Sequence, residues 1–157
     1  MKLTIQSLAF GQGEPIPRRY SGEGEELSVP LNWSGVGEGV KELALIVDDP
    51  DAPRAEPWVH WVIYKISAEV SGLGEGIGAE AELSTPVGAL QGKNTSGGIG
   101  YQGPMPPPGH GVHHYHFKLY ALDTKLDLKS GADKQALLSA MEGHIVGQGE
   151  LVGTYER

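Results

Sequence analysis

Cysteine does not occur in the 157-residue sequence. Its absence excludes disulfides, thiolate-ligated zinc, iron–sulfur clusters and thiol nucleophiles together, so any chemistry has to run on oxygen and imidazole. Long apolar runs are missing as well. The longest uninterrupted aliphatic stretch is Leu43–Val47, far short of the ~20 residues a membrane-spanning helix needs. Residues Met1 to Gln6 alternate in polarity instead of forming the apolar core of a signal peptide. Positive charge is scarce: 12 Lys and Arg stand against 20 Asp and Glu, a formal net charge of −8. The average field of such a chain repels phosphate backbones and anionic surfaces, so neither nucleic acid nor membrane insertion is expected. These features predict a soluble protein of the cytoplasm with no cofactor.

Glycine is abundant, at 24 residues, with 11 prolines. That usage exceeds the average without reaching low-complexity bias, and predicts a folded chain with many turns and little helix. The length suits one domain, residues 1–157.

Hydrophobic periodicity places the elements. Leu3 and Ile5 alternate with polar neighbours as a half-buried strand does, and residues 11–41 read as loop. Leu43–Val47 is apolar at every position, which suits a strand covered on both faces. Trp58 to Ile66 is the strongest strand pattern, with Trp58, His60, Val62, Tyr64 and Ile66 on one face and Val59, Trp61 and Ile63 on the other. The glycine-rich stretch from Ser71 to Gly111 reads as a long surface excursion. Val112 to Leu122 returns to strand, with His113, Tyr115, Phe117, Leu119 and Ala121 sharing a face. A helix is expected over Lys134 to Glu142, capped by Asp133 and ended by Gly143. Glu150 to Tyr155 closes the chain as a short strand, giving an all-β class with one or two packed helices.

The candidate chemistry sits where these strands begin and end. His113 and Tyr115 intrude on a face that continues as core, His60 does the same in its own strand, and Asp49 lies just beyond the Leu43–Val47 run. Buried polar groups need partners, and three such intrusions at strand ends point to one shared pocket of two imidazoles, a phenol and a carboxylate. Two rival chemistries are weaker. Asn94-Thr95-Ser96-Gly97-Gly98 lacks the first glycine of a nucleophile elbow, and Val87 stands where a phosphate loop ending in Gly92-Lys93 needs glycine. The crowding of His110, His113, His114 and His116 offers the alternative of a histidine-based metal site.

Several spaced motifs then occur in order: Asp49-Pro50-Asp51-Ala52-Pro53, Trp58-Val59-His60-Trp61, Gly92-Lys93-Asn94, Gly100-Tyr101-Gln102-Gly103-Pro104, Pro106-Pro107 and Gly111-Val112-His113-His114-Tyr115. Together they resemble the signature of the phosphatidylethanolamine-binding protein family, in its prokaryotic Raf-kinase-inhibitor-like branch. The resemblance runs almost end to end, from Ile16-Pro17 to Gly153-Thr154-Tyr155. It implies a Greek-key β fold of two antiparallel sheets with one or two short peripheral helices, and an anion pocket at one end of the central sheet. Carried over by motif, Asp49 is the acid, His60 and His113 the imidazoles and Tyr115 the phenol, while Pro53, Trp58, Gly103, Pro106 and Pro107 form the walls. Strand parity alone reaches the first four.

The same resemblance implies a non-enzymatic binding protein for small anionic or phosphorylated ligands such as phosphoethanolamine head groups. It implies further that the chain modulates a kinase or a serine protease and pairs as a homodimer. One alternative is a serine protease inhibitor acting through the 71–111 loops, with the pocket secondary. His114 stands where family members commonly carry arginine, and parity turns it away from the pocket, so surface charge should change and pocket chemistry should not. Ser21 and Met105 stand where prokaryotic members often carry cysteine.

Overall fold

Apolar residues at every position of 43–47 demand cover on both faces, and the tertiary structure supplies it. A computed structural model describes all 157 residues. In chain order the elements are β1 (Thr4–Gln6), a 3-10 turn (Arg18–Tyr20), β2 (Leu31–Ser34), β3 (Glu42–Asp49), β4 (Trp58–Ser67), β5 (Gly72–Leu73), β6 (Leu90–Gln91), β7 (His113–Leu122), α1 (Lys134–Met141) and β8 (Ile145–Tyr155). Two antiparallel sheets result, one of three strands in the order β1-β2-β5 and one of five in the order β6-β4-β3-β7-β8. Within the larger sheet β7 returns beside β3 after β4 and β6, the connection that defines a Greek key. No helix is long and apolar enough to cross a membrane.

Every residue of β3 is buried. Leu43, Leu45 and Val47 join Trp61, Ile63, Phe117 and Leu119 in the core under the small sheet, while Ala44 and Ile46 meet Val62, Tyr64, Leu137 and Met141 on the helix side. Helix α1 starts where expected, because the Asp133 side chain accepts the Ala136 N–H at 2.9 Å. It is fastened to the sheet by Lys134, whose Nζ lies 2.7 Å from the buried Asp48 carboxylate.

Three expectations need correction. Residues 11–41 are not loop throughout: Leu31 and Trp33 alternate inward along β2, which pairs with β1. The last strand is longer than Glu150–Tyr155 and begins at Ile145. Its glycines obscure the alternation because they are there for clearance. A Cβ on Gly149 would collide with the Leu3 carbonyl oxygen, where the N-terminal segment crosses β8. The Ser71–Gly111 stretch is not a surface excursion throughout either, since β5 and β6 and several buried residues lie within it. Gln91 is wholly buried in it, accepting from Trp61 Nε1 at 2.7 Å and donating to the carbonyls of Gly78 and Glu80 at 2.7 and 2.8 Å. One buried amide thus ties the segment to the core.

Strict parity also fails in β4. Register with β3 shifts twice, between Leu43 and Leu45 and between Val47 and Asp48. At the first shift Lys65 has φ +55°, and beyond it Ile66 joins Ile63 under the small sheet instead of following Tyr64. At the second, an extra residue sets His60 and Trp61 on the same side, so that the His60 ring meets Tyr115 edge-on at 5.1 Å. Simple alternation would have put His60 with Val62 and Tyr64, against the helix. The second bulge alone brings it to the pocket.

Candidate anion-binding pocket

The end of β3 and the starts of β4 and β7 lie side by side, with Asp49 opposite Trp58 and Asp48 opposite His116. A cavity of about 240 Å³ opens there. All nine residues singled out from the sequence line it: Asp49, Pro53, Trp58, His60, Gly103, Pro106, Pro107, His113 and Tyr115. Ala52, Gln102 and Met105 complete the wall. The volume is below the ~300–1,000 Å³ of pockets for drug-sized molecules, and suits a head group or a small acid.

The wall segment 102–107 is held close by the absence of a side chain at Gly103. A Cβ on Gly103 would lie 2.5 Å from the Tyr20 carbonyl oxygen, and its N–H donates to Glu26 Oε2 at 3.1 Å. Gln102 was not singled out, yet it orients two pocket residues. Its carbonyl pairs with His60 Nδ1 at 2.7 Å and its side-chain oxygen accepts from Trp58 Nε1 at 2.9 Å. The signal was available, since Gln102 lies inside the Gly100–Pro104 motif.

A carbonyl only accepts, so His60 carries its proton on Nδ1. That leaves Nε2 without a protein partner. The Tyr115 hydroxyl is also unpartnered, and because no buried side-chain nitrogen or oxygen lacks a hydrogen bond, both atoms reach the cavity that their residues line. His113 is engaged at both ring nitrogens: its Nδ1 lies 2.6 Å from Asp49 Oδ2, and its Nε2 meets His110 Nδ1 at 2.6 Å. Asp49 Oδ1 in turn accepts the Asp51 N–H at 2.8 Å.

The titration of these groups follows from burial. Loss of water pushes the His60 imidazole below its ordinary value, and the Gln102 carbonyl and Asp49 only partly oppose that. Burial pushes the Tyr115 hydroxyl up, with Asp49 adding to the effect, so it remains a donor. Burial would also raise Asp51, but hydrogen bonds from the ring and N–H of His114 outweigh it and hold the carboxyl below its usual range. No lysine or arginine lines the cavity. Cations stand at the rim, with Arg54 over the Trp58 ring at 5.5 Å and Arg157 Nε on the Pro106 carbonyl at 2.6 Å.

A neutral buried His60 has a measurable consequence. The unfolded chain takes up this proton first as pH falls through ~6.5, so the associated stability is complete above that value and is lost as pH falls toward the lower folded value. The loss is at most about 1.4 kcal/mol per pH unit for one proton. Thermal unfolding between pH 7.5 and 5 should show a shallower acid decline for His60→Gln than for the parent chain; parallel declines would refute the neutral assignment.

The four crowded histidines do not converge on a common centre. His110 pairs with His113, His114 Nδ1 with Asp51 at 2.8 Å, and His116 Nδ1 with Glu150 at 3.4 Å. No group of three or more His, Asp or Glu side chains is placed to hold a metal ion.

Comparison with known proteins gives this geometry a setting. The family model described as phosphatidylethanolamine-binding protein matches residues 6–156. The chain belongs to the phosphatidylethanolamine-binding protein family. A UPF0098 protein of Pyrococcus horikoshii is 50% identical over 157 residues, covering 100% of this chain and 78% of the relative. Among solved structures of the family, that of YbcL from E. coli, described as a new member of the mammalian family, superposes with a TM-score of 0.92 at 33% identity, covering 100% of this chain and 99% of the other. A carboxypeptidase Y inhibitor, solved in complex with its cognate proteinase, shares the fold at a TM-score of 0.50 and 16% identity, over 99% of this chain and 82% of that one.

Proposed function

We propose that this member of the phosphatidylethanolamine-binding protein family is a non-enzymatic binding protein whose pocket takes a small phosphate-bearing anion, such as a phosphoethanolamine-like head group or another phosphorylated ligand. One observation carries the reading. Two polar atoms, His60 Nε2 and the Tyr115 hydroxyl, face the cavity without protein partners while their rings are locked in place. No serine or threonine hydroxyl is bonded to a histidine, which supports binding over covalent catalysis.

The chemistry also selects a charge state. Tyr115 donates, whereas neutral His60 presents a lone pair at Nε2, and Asp49 repels a second negative charge. A dianion with no proton would meet two acceptors unless an imidazole of the pocket takes up a proton with it. A monoanion supplies an oxygen to Tyr115 and a hydroxyl to His60. Phosphate monoesters pass between these forms near pH 6, so affinity should be on the order of tenfold higher at pH 6 than at pH 8. Calorimetric titration with phosphoethanolamine at both values checks this, and equal or tighter binding at pH 8 would remove the assignment. Modulation of a kinase or protease, with the bound group as a signal, is the role consistent with this chemistry. Inhibition of a serine protease through the 71–111 loops draws support from the fold shared with the carboxypeptidase Y inhibitor, and would survive substitution of His60 and His113 by alanine.

A further inference from the structure

His110 lies outside the cavity lining, yet it occupies the one ring nitrogen of His113 that the carboxylate leaves free. The two rings are 4.9 Å apart and tilted by 58°. His113 is 2% exposed and Asp49 3%, whereas His110 is exposed on the loop between Gly109 and Gly111. The loop is pinned: His110 N–H donates to the Pro107 carbonyl and Gly109 N–H to that of Arg157, each at 3.1 Å. Its glycines hold φ values of +75° and +99°, in the left-handed region that admits such a tight path.

Proton counting makes the contact informative. The Asp49 carboxylate accepts, so His113 Nδ1 carries a hydrogen. Two bare lone pairs or two N–H groups would repel at 2.6 Å, so one proton lies between His113 Nε2 and His110 Nδ1. Both nitrogens of His113 are therefore engaged, and a change in its protonation has to pass through His110.

We propose that His110 is the proton port of the pocket and a positioning residue for anion binding, an inference that rests on the anion-pocket reading. A solvent proton adds at His110 Nε2, and the proton at Nδ1 passes to His113 Nε2. His110 is then neutral, carrying its hydrogen on Nε2, and the cavity is faced by an imidazolium held against Asp49. One proton is taken up for one anion bound, and the pocket gains a positive charge that no lysine or arginine in its wall supplies.

The surrounding charges are compatible with this path. Asp51 donates its N–H to Asp49, and its carboxylate accepts from His114. Tyr155, opposite His113 on β8, donates to Glu23 at 2.6 Å. Asp48 faces the other side of the sheet, toward Lys118 and Lys134. His60 and Tyr115 line the same cavity as His113, and Arg54 and Arg157 stand at the rim.

Inorganic sulfate is the probe, since it has the shape of phosphate but no proton to exchange between pH 5.5 and 8. Calorimetry in buffers of different ionisation enthalpy at pH 6.5 should show about one proton taken up per sulfate by the parent chain. His110→Asn can still donate to His113 Nε2 but cannot carry a proton. It should abolish most of that uptake and weaken sulfate at pH 6 on the order of tenfold. Unchanged uptake in His110→Asn, or binding of phosphate with none of sulfate, would overturn the port.

A second measurement separates this proposal from the reading beneath it. Imidazole nitrogen spectra without added anion should show His113 gaining a second ring proton on acidification in the parent and not in His110→Asn. If neither anion binds, the pocket reading fails and these spectra still decide the port. If phosphate binds and His113 titrates alike in both proteins, the port fails and the pocket reading stands.

Discussion

Trp61→Ala is expected to remove about 3–5 kcal/mol of folding free energy, the range for deleting a buried large aromatic side chain. Trp61 is fully buried, packs edge-on against Tyr101 at 5.5 Å and donates to Gln91. The indole is thus both core and fastener. Without it Gln91 Oε1 loses its donor inside the protein, which costs about 1–3 kcal/mol when water cannot replace it. The damage should spread along a defined route, because Gln91 holds the carbonyls of Gly78 and Glu80 while Tyr101 bonds the Tyr20 carbonyl at 2.8 Å. Hydrogen exchange should accelerate first across 78–103, and urea unfolding should report the lost stability. Trp61→Phe keeps most of the volume and removes the N–H with the rest of the second ring, so a loss near 1–3 kcal/mol is expected where the alanine variant does not fold. A loss below 1 kcal/mol in the alanine variant would mean that this segment is anchored elsewhere.

The same residues show which parts of the fold could be read in advance. Leu43–Val47 and the face of β7 from His113 to Ala121 announce themselves because packing on each side demands apolar residues in a regular period. Bulges break that period. In β4 the pocket convergence was anticipated, but the alternation used to reach it would have turned His60 toward Val62 and Tyr64; the structure turns it to Tyr115 through a register shift that leaves no mark in composition. Gln91 and Gln102 were missed for a related reason. A side-chain amide in a glycine-rich stretch looks like surface until its partners, 13 and 44 residues away along the chain, are known. His110 was visible as one of four crowded imidazoles and was assigned to a rival metal site, since sequence spacing says nothing of which ring nitrogen meets which acceptor. The nine wall residues were legible because ordered motifs carried them, whereas the hydrogen bonds that set their tautomers were not.

Tyr115→Phe should separate binding from folding more cleanly than any histidine variant. The ring of Tyr115 is 1% exposed and packs with Phe117 and Leu119 in the main core, and phenylalanine preserves that packing. The hydroxyl has no protein partner, so its removal should change stability by less than about 1 kcal/mol. For an anion in the cavity the hydroxyl is a donor to a charged acceptor, an interaction of roughly 1.5–3 kcal/mol, which converts to a ten- to hundredfold weaker Kd. Burial holds the group protonated throughout the accessible pH range, so the factor should be the same at pH 6 and pH 8. The pH-dependent part of the affinity then belongs to the imidazoles and to the ligand's own proton. Phosphate titrations of Tyr115→Phe at the two pH values test this division: a pH-independent loss supports a fixed donor beside titrating partners, an unaltered Kd would move the anion away from Tyr115, and a loss confined to pH 8 would mean that the hydroxyl takes over when the imidazoles are neutral.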